Sequence, residues 1–356
     1  MAKKILGIMS GSSLDGLDLA ICSFNEDNYT VLHCDHFPFN DDLVTQLKDP
    51  LSLSNKELLI LNANLSRYFA DAVNQMIVNA RIIPDMIVSH GHTIFHDPDS
   101  MVTCQLGNGG IIASLTGIDT LCDLRIQDVA LGGQGAPLAS LVDKYLFDTH
   151  QLQMNLGGIA NVSFTAGKDV KSWDICPCNQ VLNYFAGQLG ASYDENGAWA
   201  KEGSLNQQLY DYWQNKDYFN SNPPKSLDNY WVKENFLELN MEIDPMDGLH
   251  TMCKFIADRI IKDLLQHLPK GNYNMIITGG GTHNDFLINL IDKGASTLGI
   301  KITIPEVNLI DYKEAILMAY MGYRYLEKMP NVLSSATGGK MDITAGALYK
   351  GHGEKG

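Results

Sequence analysis

The sequence predicts an α/β protein built as two similar halves that face each other across a cleft. Three observations carry this expectation. An apolar strand pattern, Lys4 to Met9, runs into a turn rich in glycine, hydroxyls and carboxylates, and a second apolar strand follows from Leu17 to Phe24. The same order of strand, glycine turn and strand returns about 145 residues later, from Leu152 through Gly157-Gly158 to Phe164, with a third strand ending near Asp174. At 356 residues the chain also exceeds what one ordinary core accommodates.

Taken in order, the opening strands are predicted at 4–9, 17–24 and 29–37, a meander with short polar turns. Two helices follow, the longer from about Asn55 to Ala80, where Ser54 and Glu57 form a capping box. Short apolar runs at Asp85–Ser89, Thr103–Leu106 and Thr120–Leu124 read as buried strands. Gly132-Gly-Gln-Gly-Ala-Pro137 breaks the chain, and a helix is expected to begin at Pro137. Beyond the second strand–turn–strand, Tyr273–Thr278 is a strand pattern running into Gly279-Gly280-Gly281, with a helix from about Asp285. A strand, a glycine turn and a helix start together form a common nucleotide-holding arrangement. Lys301–Ile304 reads as a strand, Tyr312–Glu327 as a helix, and the tail from Gly351 as frayed.

A net charge of −15 argues against nucleic acid or an anionic membrane as partner, while leaving room for a phosphorylated small ligand held by backbone amides. Hydrophobic content of 45% and charged content of 19% are those of a compact soluble chain. The apolar run after Lys3 and Lys4 is too short for a signal peptide, and no segment reaches membrane-helix length. Seven scattered cysteines read as buried thiols of a reducing compartment, so a cytoplasmic location is expected.

Residues 7–18, Gly-Ile-Met-Ser-Gly-Ser-Ser-Leu-Asp-Gly-Leu-Asp, carry the strongest chemical signal. Glycines let backbone N–H groups approach phosphate oxygens, hydroxyls add donors, and a carboxylate can hold Mg²⁺. As a lone segment the same letters also suit a hairpin with a polar turn. Asp174, at a strand end before a proline turn, is placed to act as a general base, though a helix N-cap reading is open to it too. Cys176 and Cys178 lack a second thiol pair at zinc spacing and read as buried side chains at a helix start. His90, His92 and His96 read as polar cleft residues; a metal site there lacks a carboxylate at completing distance. The chain has neither a G-x-S-x-G elbow nor a Walker A lysine motif, so any ATP would be held by glycine turns.

Together these segments resemble the anhydro-N-acetylmuramic acid kinase family of the sugar-kinase, Hsp70 and actin superfamily. The likeness runs over nearly the whole chain through Gly7–Asp18, Ser89–His96, Asp128–Leu138, Asn155–Val162, Tyr193–Ala200, Pro223–Ser226 and Gly279–Asn284. It implies a two-domain, actin-like (ribonuclease H-like) ATPase fold, with 1–125 plus about 335–356 as one domain and 126–334 as the other. It also implies a kinase that adds water to C1 of 1,6-anhydro-N-acetylmuramic acid and passes the γ-phosphoryl of ATP to the freed O6. The product would be N-acetylmuramic acid 6-phosphate, a step of cell-wall recycling.

By matched position the resemblance makes Asp174 the catalytic base. Gly11, Ser12, Ser13, Leu14, Asp15, Gly16, Leu17 and Asp18 would face the ATP phosphates, with Asp15 as the Mg²⁺ ligand. Gly157 and Gly158 would form the opposing phosphate turn, and Gly279, Gly280 and Gly281 would lie by the adenosine. His90, Arg125, Asp128, Asn179 and Glu314 would contact the sugar. A homodimer is implied as well.

The chain departs from the family where Asp-Thr-Gly-Pro-Gly-Asn becomes Asp174-Ile-Cys-Pro-Cys-Asn179, where a second arginine becomes Gln127, and where a glutamine becomes His92. The added side chains at 176 and 178 are expected to narrow or reshape the sugar pocket. Two alternatives therefore stand beside the leading one: a kinase of the same fold acting on another sugar, and a nucleotide-binding regulator without catalysis.

Overall fold

β1 (Lys3–Ser10), β2 (Gly16–Phe24) and β3 (Tyr29–Pro38) form an antiparallel meander, with Gly7 opposite Ala20 and Leu19 opposite Asp35. The computed structural model describes residues 2–11, 13–26, 28–139, 141, 150–166, 169–223, 225–238 and 242–353. β4 (Met86–Asp97) lies parallel to β1, β6 (Thr120–Cys122) parallel to β4, and β12 (Ala347–Tyr349) antiparallel to β6. β5 (Val102–Leu106) folds back on the far half of β4.

A second sheet repeats the connectivity. β7 (Leu152–Leu156), β8 (Ile159–Ala166) and β9 (Asp169–Pro177) form an antiparallel meander. β10 (Tyr273–Thr278) then runs parallel to β7, and β11 (Ile300–Thr303) parallel to β10. The order β3-β2-β1-β4-β6 in one sheet and β9-β8-β7-β10-β11 in the other bears out the expected recurrence. A three-stranded meander extended by parallel strands is the actin-like arrangement, present twice.

The chain separates into two compact units, residues 1–146 with 312–356, and residues 147–311. The first is larger than the sequence led us to expect, since 126–146 and 312–334 group with it. The physical reason for the second segment is helix Lys313–Leu326, which packs on β1, β2 and β4. Its backbone comes so close that a Cβ on Gly7 would sit 1.9 Å from the Ala315 carbonyl oxygen and 2.6 Å from the Ala319 nitrogen. Gly322 gives the same clearance to Val88 and Ile5. On the other face, helix Asn55–Ala80 buries Leu61, Leu65 and Phe69 against Leu6, Leu17 and Leu19. It starts at Ser54, whose N–H donates to Glu57 Oε2 at 2.9 Å and whose hydroxyl takes the Glu57 N–H, so the capping box is formed. In the second unit, helix Pro245–His267 is buried along most of its length against the β7–β10 face.

Two expectations change. Residues 137–139 are not helical, and the rest of the helix expected to begin there falls mostly on 140 and 142–149, outside the described residues. Residues 351–353 are tied down rather than frayed: the Gly351 N–H donates to Asp119 Oδ1 and the Gly353 N–H to the Gly117 carbonyl, each at 3.0 Å. Residues 354–356 lie outside the described residues.

Gly7→Ala should cost about 3 kcal/mol or more in urea unfolding, because the atoms it meets are backbone and must move as a helix. Gly187→Ala, a helical position with open space around its Cα, should be neutral or slightly stabilising in the same measurement.

Candidate functional site

Each unit gathers a distinct set of polar groups. In the first unit β1 ends at Ser10, and the turn to β2 carries Gly11, Ser13, Leu14 and Asp15; Ser12 lies outside the described residues. The Ser13 hydroxyl donates to Asp15 Oδ1 at 2.6 Å, and Asp15 is exposed. Leu14 has φ of 58°, a left-handed conformation that turns the chain back on itself.

Three residues of the expected phosphate segment already belong to β2. Gly16 is buried, and a Cβ there would meet the Phe37 carbonyl oxygen at 2.2 Å. Leu17 points wholly into the core, so it offers a ligand no side chain. Asp18 pairs with His36 at 2.8 Å.

Beside this turn stand His90, Arg125 and Glu314. Their segments are far apart in sequence and are brought together because β4 lies next to β1 and helix Lys313–Leu326 sits on both. The His90 Nδ1–H donates to the Gly91 carbonyl at 2.9 Å, so its Nε2 accepts from Arg125 Nε at 2.9 Å. Burial, and then the Arg125 charge, lower the His90 pKa to about 4. The ring is thus neutral and orients the guanidinium, which also donates to the Gly135 carbonyl.

Glu314 keeps contact with solvent, yet protein crowds it at longer range. That desolvation, with Asp18 close by, raises its pKa, while Lys313 and Arg125 oppose the rise. Ser10 and His92 share a hydrogen bond of 2.9 Å between Oγ and Nδ1. The sequence singled out His92 as a polar cleft residue and as a departure, and gave no sign of this pairing.

Asp128 needs correcting as a ligand contact. It is fully buried, its Oδ1 accepts from the Thr337 hydroxyl and its Oδ2 from the Gly135 N–H, both at 2.8 Å. A Cβ on Gly133 would lie 2.2 Å from that carboxylate, so the glycine there lets the loop close over it. Asp128 anchors a loop and, fully buried, presents no surface to a ligand. Among the described residues no cluster of three or more His, Cys, Asp or Glu is arranged to hold a metal ion, the 90–96 histidines included.

In the second unit the Gly157-Gly158 turn and the Gly279–Gly281 turn meet at the start of helix Asn179–Gln188. The helix's first N–H groups are already committed: Asn179 N donates to the Gly157 carbonyl at 3.0 Å and Gln180 N to the Gly158 carbonyl at 3.3 Å. The amides of Gly157, Gly158, Gly280 and Gly281 donate to nothing among the described residues, so donors for an anion come from the turns and not from the helix end. Gly279 has φ of 90°, and a Cβ there would strike Asn155 and Leu156. Asn179 joins the two turns, its Nδ2 donating to the Leu156 carbonyl at 2.9 Å. With Gly280, Gly281, Tyr193, Glu195 and His283 it lines a cavity of about 510 Å³. Asn179 therefore belongs with the glycine turns.

Asp174 lies near the end of β9, where Asn161 opposes Asp174 and Ala160 opposes Cys176, leaving Ile175 as a bulge that re-aims the strand. The carboxylate is half-buried. Its Oδ2 accepts from the Leu227 N–H at 2.8 Å, and Oδ1 has no partner among the described residues. Burial raises its pKa and the Leu227 hydrogen bond pulls it partly back. A carboxylate held at one oxygen and open at the other can take a proton from a small molecule in front of it. Cys176 and Cys178 are both fully buried, as expected of side chains at a helix start.

A family model described as anhydro-N-acetylmuramic acid kinase matches residues 3–351. Curated relatives carrying that same name include one from Photobacterium profundum, 32% identical with 98% of each chain covered. Another from Synechococcus elongatus is 33% identical over 97% of this chain and 99% of the relative. A third from Legionella pneumophila is 32% identical over 97% of both.

The neutral, buried His90 has a measurable consequence. Its folded pKa lies below the ordinary histidine value of 6.5, so the stability it contributes is complete above pH 6.5 and is lost as pH falls towards 4. The loss should be on the order of 3 kcal/mol. Urea unfolding of wild type and His90→Gln across that range should show wild type losing more, by about that amount.

Proposed function

We propose, on the premise that the chain belongs to the anhydro-N-acetylmuramic acid kinase family, that it opens 1,6-anhydro-N-acetylmuramic acid and phosphorylates the freed O6 with ATP. Asp174 takes a proton from water as the water oxygen bonds to C1. The C1–O6 bond breaks, O6 bonds to the γ-phosphorus, and ADP leaves. The products are N-acetylmuramic acid 6-phosphate and ADP. The observation that carries the reading is the Asp174 carboxylate itself, half-buried, fixed at one oxygen and open at the other.

In the first unit the turn carrying Gly11, Ser13 and Asp15 is suited to phosphate; in the second unit Gly157 and Gly158 are suited to phosphate, and Gly279 to Gly281 with Asn179 line the adenosine side. This suits phosphoryl transfer, where positioning and charge neutralisation do most of the work. Asp15 fits Mg²⁺ as a single exposed carboxylate beside the phosphate turn, because Mg²⁺ keeps most of its shell as water and phosphate and needs no protein cage. When bound it would neutralise phosphate charge. Arg125, oriented by neutral His90, and Glu314 hold the sugar. Among the described residues no helix is long and apolar enough to cross a membrane; a cytoplasmic homodimer is part of the proposal.

ADP release from MgATP with and without 1,6-anhydro-N-acetylmuramic acid, with product mass determined, tests this reading. Sugar-dependent turnover should give a product heavier by one water and one phosphoryl group. Asp174→Asn should abolish turnover, by about 10² to 10⁴-fold, while leaving ATP binding intact. ATP binding with no sugar-dependent turnover in wild type would favour the regulator, and turnover only with other sugars the second kinase reading.

A further inference from the structure

A fully buried ion pair lies behind Asp174 in the second unit. Lys225 Nζ donates to Asp263 Oδ2 at 2.6 Å, with side chains 4% and 1% exposed. Asp263 Oδ1 accepts from Trp173 Nε1 at 2.6 Å and from His267 Nδ1 at 3.2 Å. The same lysine carries the carbonyl that takes the Asp174 N–H at 3.0 Å, and two residues on, Leu227 gives its N–H to the Asp174 carboxylate. The Tyr218 hydroxyl donates to the Asp174 carbonyl at 2.8 Å. β9 is an edge strand, so these backbone groups depend on the 218–227 segment for partners.

We propose that Asp263, acting through Lys225 and Trp173, is the positioning residue of the Asp174 base, so that the buried ion pair fixes the carboxylate's direction from both sides. The proposal rests on the reading of Asp174 as base. Asp263 holds the residue just before Asp174 and the residue that pairs with Asp174, and both bonds are buried. A buried ion pair is by itself a poor stabiliser, since desolvating two charges offsets most of their attraction. Its use here is geometric: the pair holds the 225–227 segment against β9 so that the Leu227 N–H stays on Oδ2 and Oδ1 remains open. The titratable and charged groups around this end of β9 are Tyr218 and Lys225 from the covering segment, Arg259, Asp263 and His267 from helix Pro245–His267, and Cys176 from β9 itself.

The test compares Lys225→Met, Asp263→Asn and the double variant Lys225→Met/Asp263→Leu with wild type in the sugar-dependent ADP assay, across pH. Asp174→Asn is run alongside, and thermal unfolding is recorded for each. Loosening the brace removes a hydrogen bond that favours charged Asp174, so the acid limb of kcat/KM should move to higher pH. kcat should fall on the order of 10²-fold, with KM for ATP unchanged. The double variant removes both charges and should regain thermal stability without regaining kcat or the acid limb.

Two results would overturn the proposal. One is wild-type kcat and acid limb in the folded single variants. The other is a double variant whose activity and acid limb return together with its stability. An active Asp174→Asn would instead remove the base assignment and the proposal with it, a result distinct from either.

Discussion

The approach of helix Lys313–Leu326 to β1 is the contact on which the first unit depends. Without a side chain at Gly7, the helix backbone sits directly on the strand that leads into the phosphate turn. The contact begins within the first turn of the helix, so its first residues are fixed beside the start of β2. Glu314 therefore feels Asp18 and Arg125, three groups from three remote segments. A larger residue at position 7 would separate the sheet from the helix and the turn from its acidic neighbour together. Gly7 is thus a packing residue, although it opens the segment whose glycines suggest phosphate binding.

The second unit solves a related problem with hydrogen bonds. β9 ends a sheet and carries a bulge, both of which loosen backbone, yet the Asp174 N–H and carboxylate are both held. Segment 225–227 supplies the missing pairing, and the buried Lys225–Asp263 pair holds that segment. Opposed effects then act on the carboxylate. Burial favours its neutral form and the Leu227 N–H its charged form, and burial is the larger. The net shift is upward from the ordinary aspartate value, with burial as its cause.

What the sequence made legible was local. Strand periods gave β1, β2, β7 and β10 within a residue or two, Ser54 and Glu57 marked a helix start through a contact three residues long, and the glycine turns announced themselves in letters. Groups whose partners are far away left no such sign. Asp128 looked like a cleft residue because its anchor, Thr337, is 209 positions on. Asp263 sits in a helix with no motif around it, and only folding places it 2.6 Å from Lys225, 38 residues earlier. Residues 312–334 group with the first unit for the same kind of reason, since nothing in their letters shows which sheet the helix will cover.

The cysteines at 176 and 178 show how a departure from a family pattern can mislead when only letters are read. Replacing glycine adds volume, and volume beside a base suggests a smaller pocket. The bulge at Ile175 shifts the alternation of β9, however, and Cys176 then falls on the buried side among Lys225, Arg259 and Asp263, while Cys178 lies near Cys253. Both thiols are fully buried, and burial raises the pKa of each, so they behave as small apolar fillers and not as nucleophiles or ligands. Their volume is added to the core around Arg259, Asp263 and Lys225. The two thiols therefore present no side-chain surface to a ligand, and the departures at Gln127 and His92 stand apart from them.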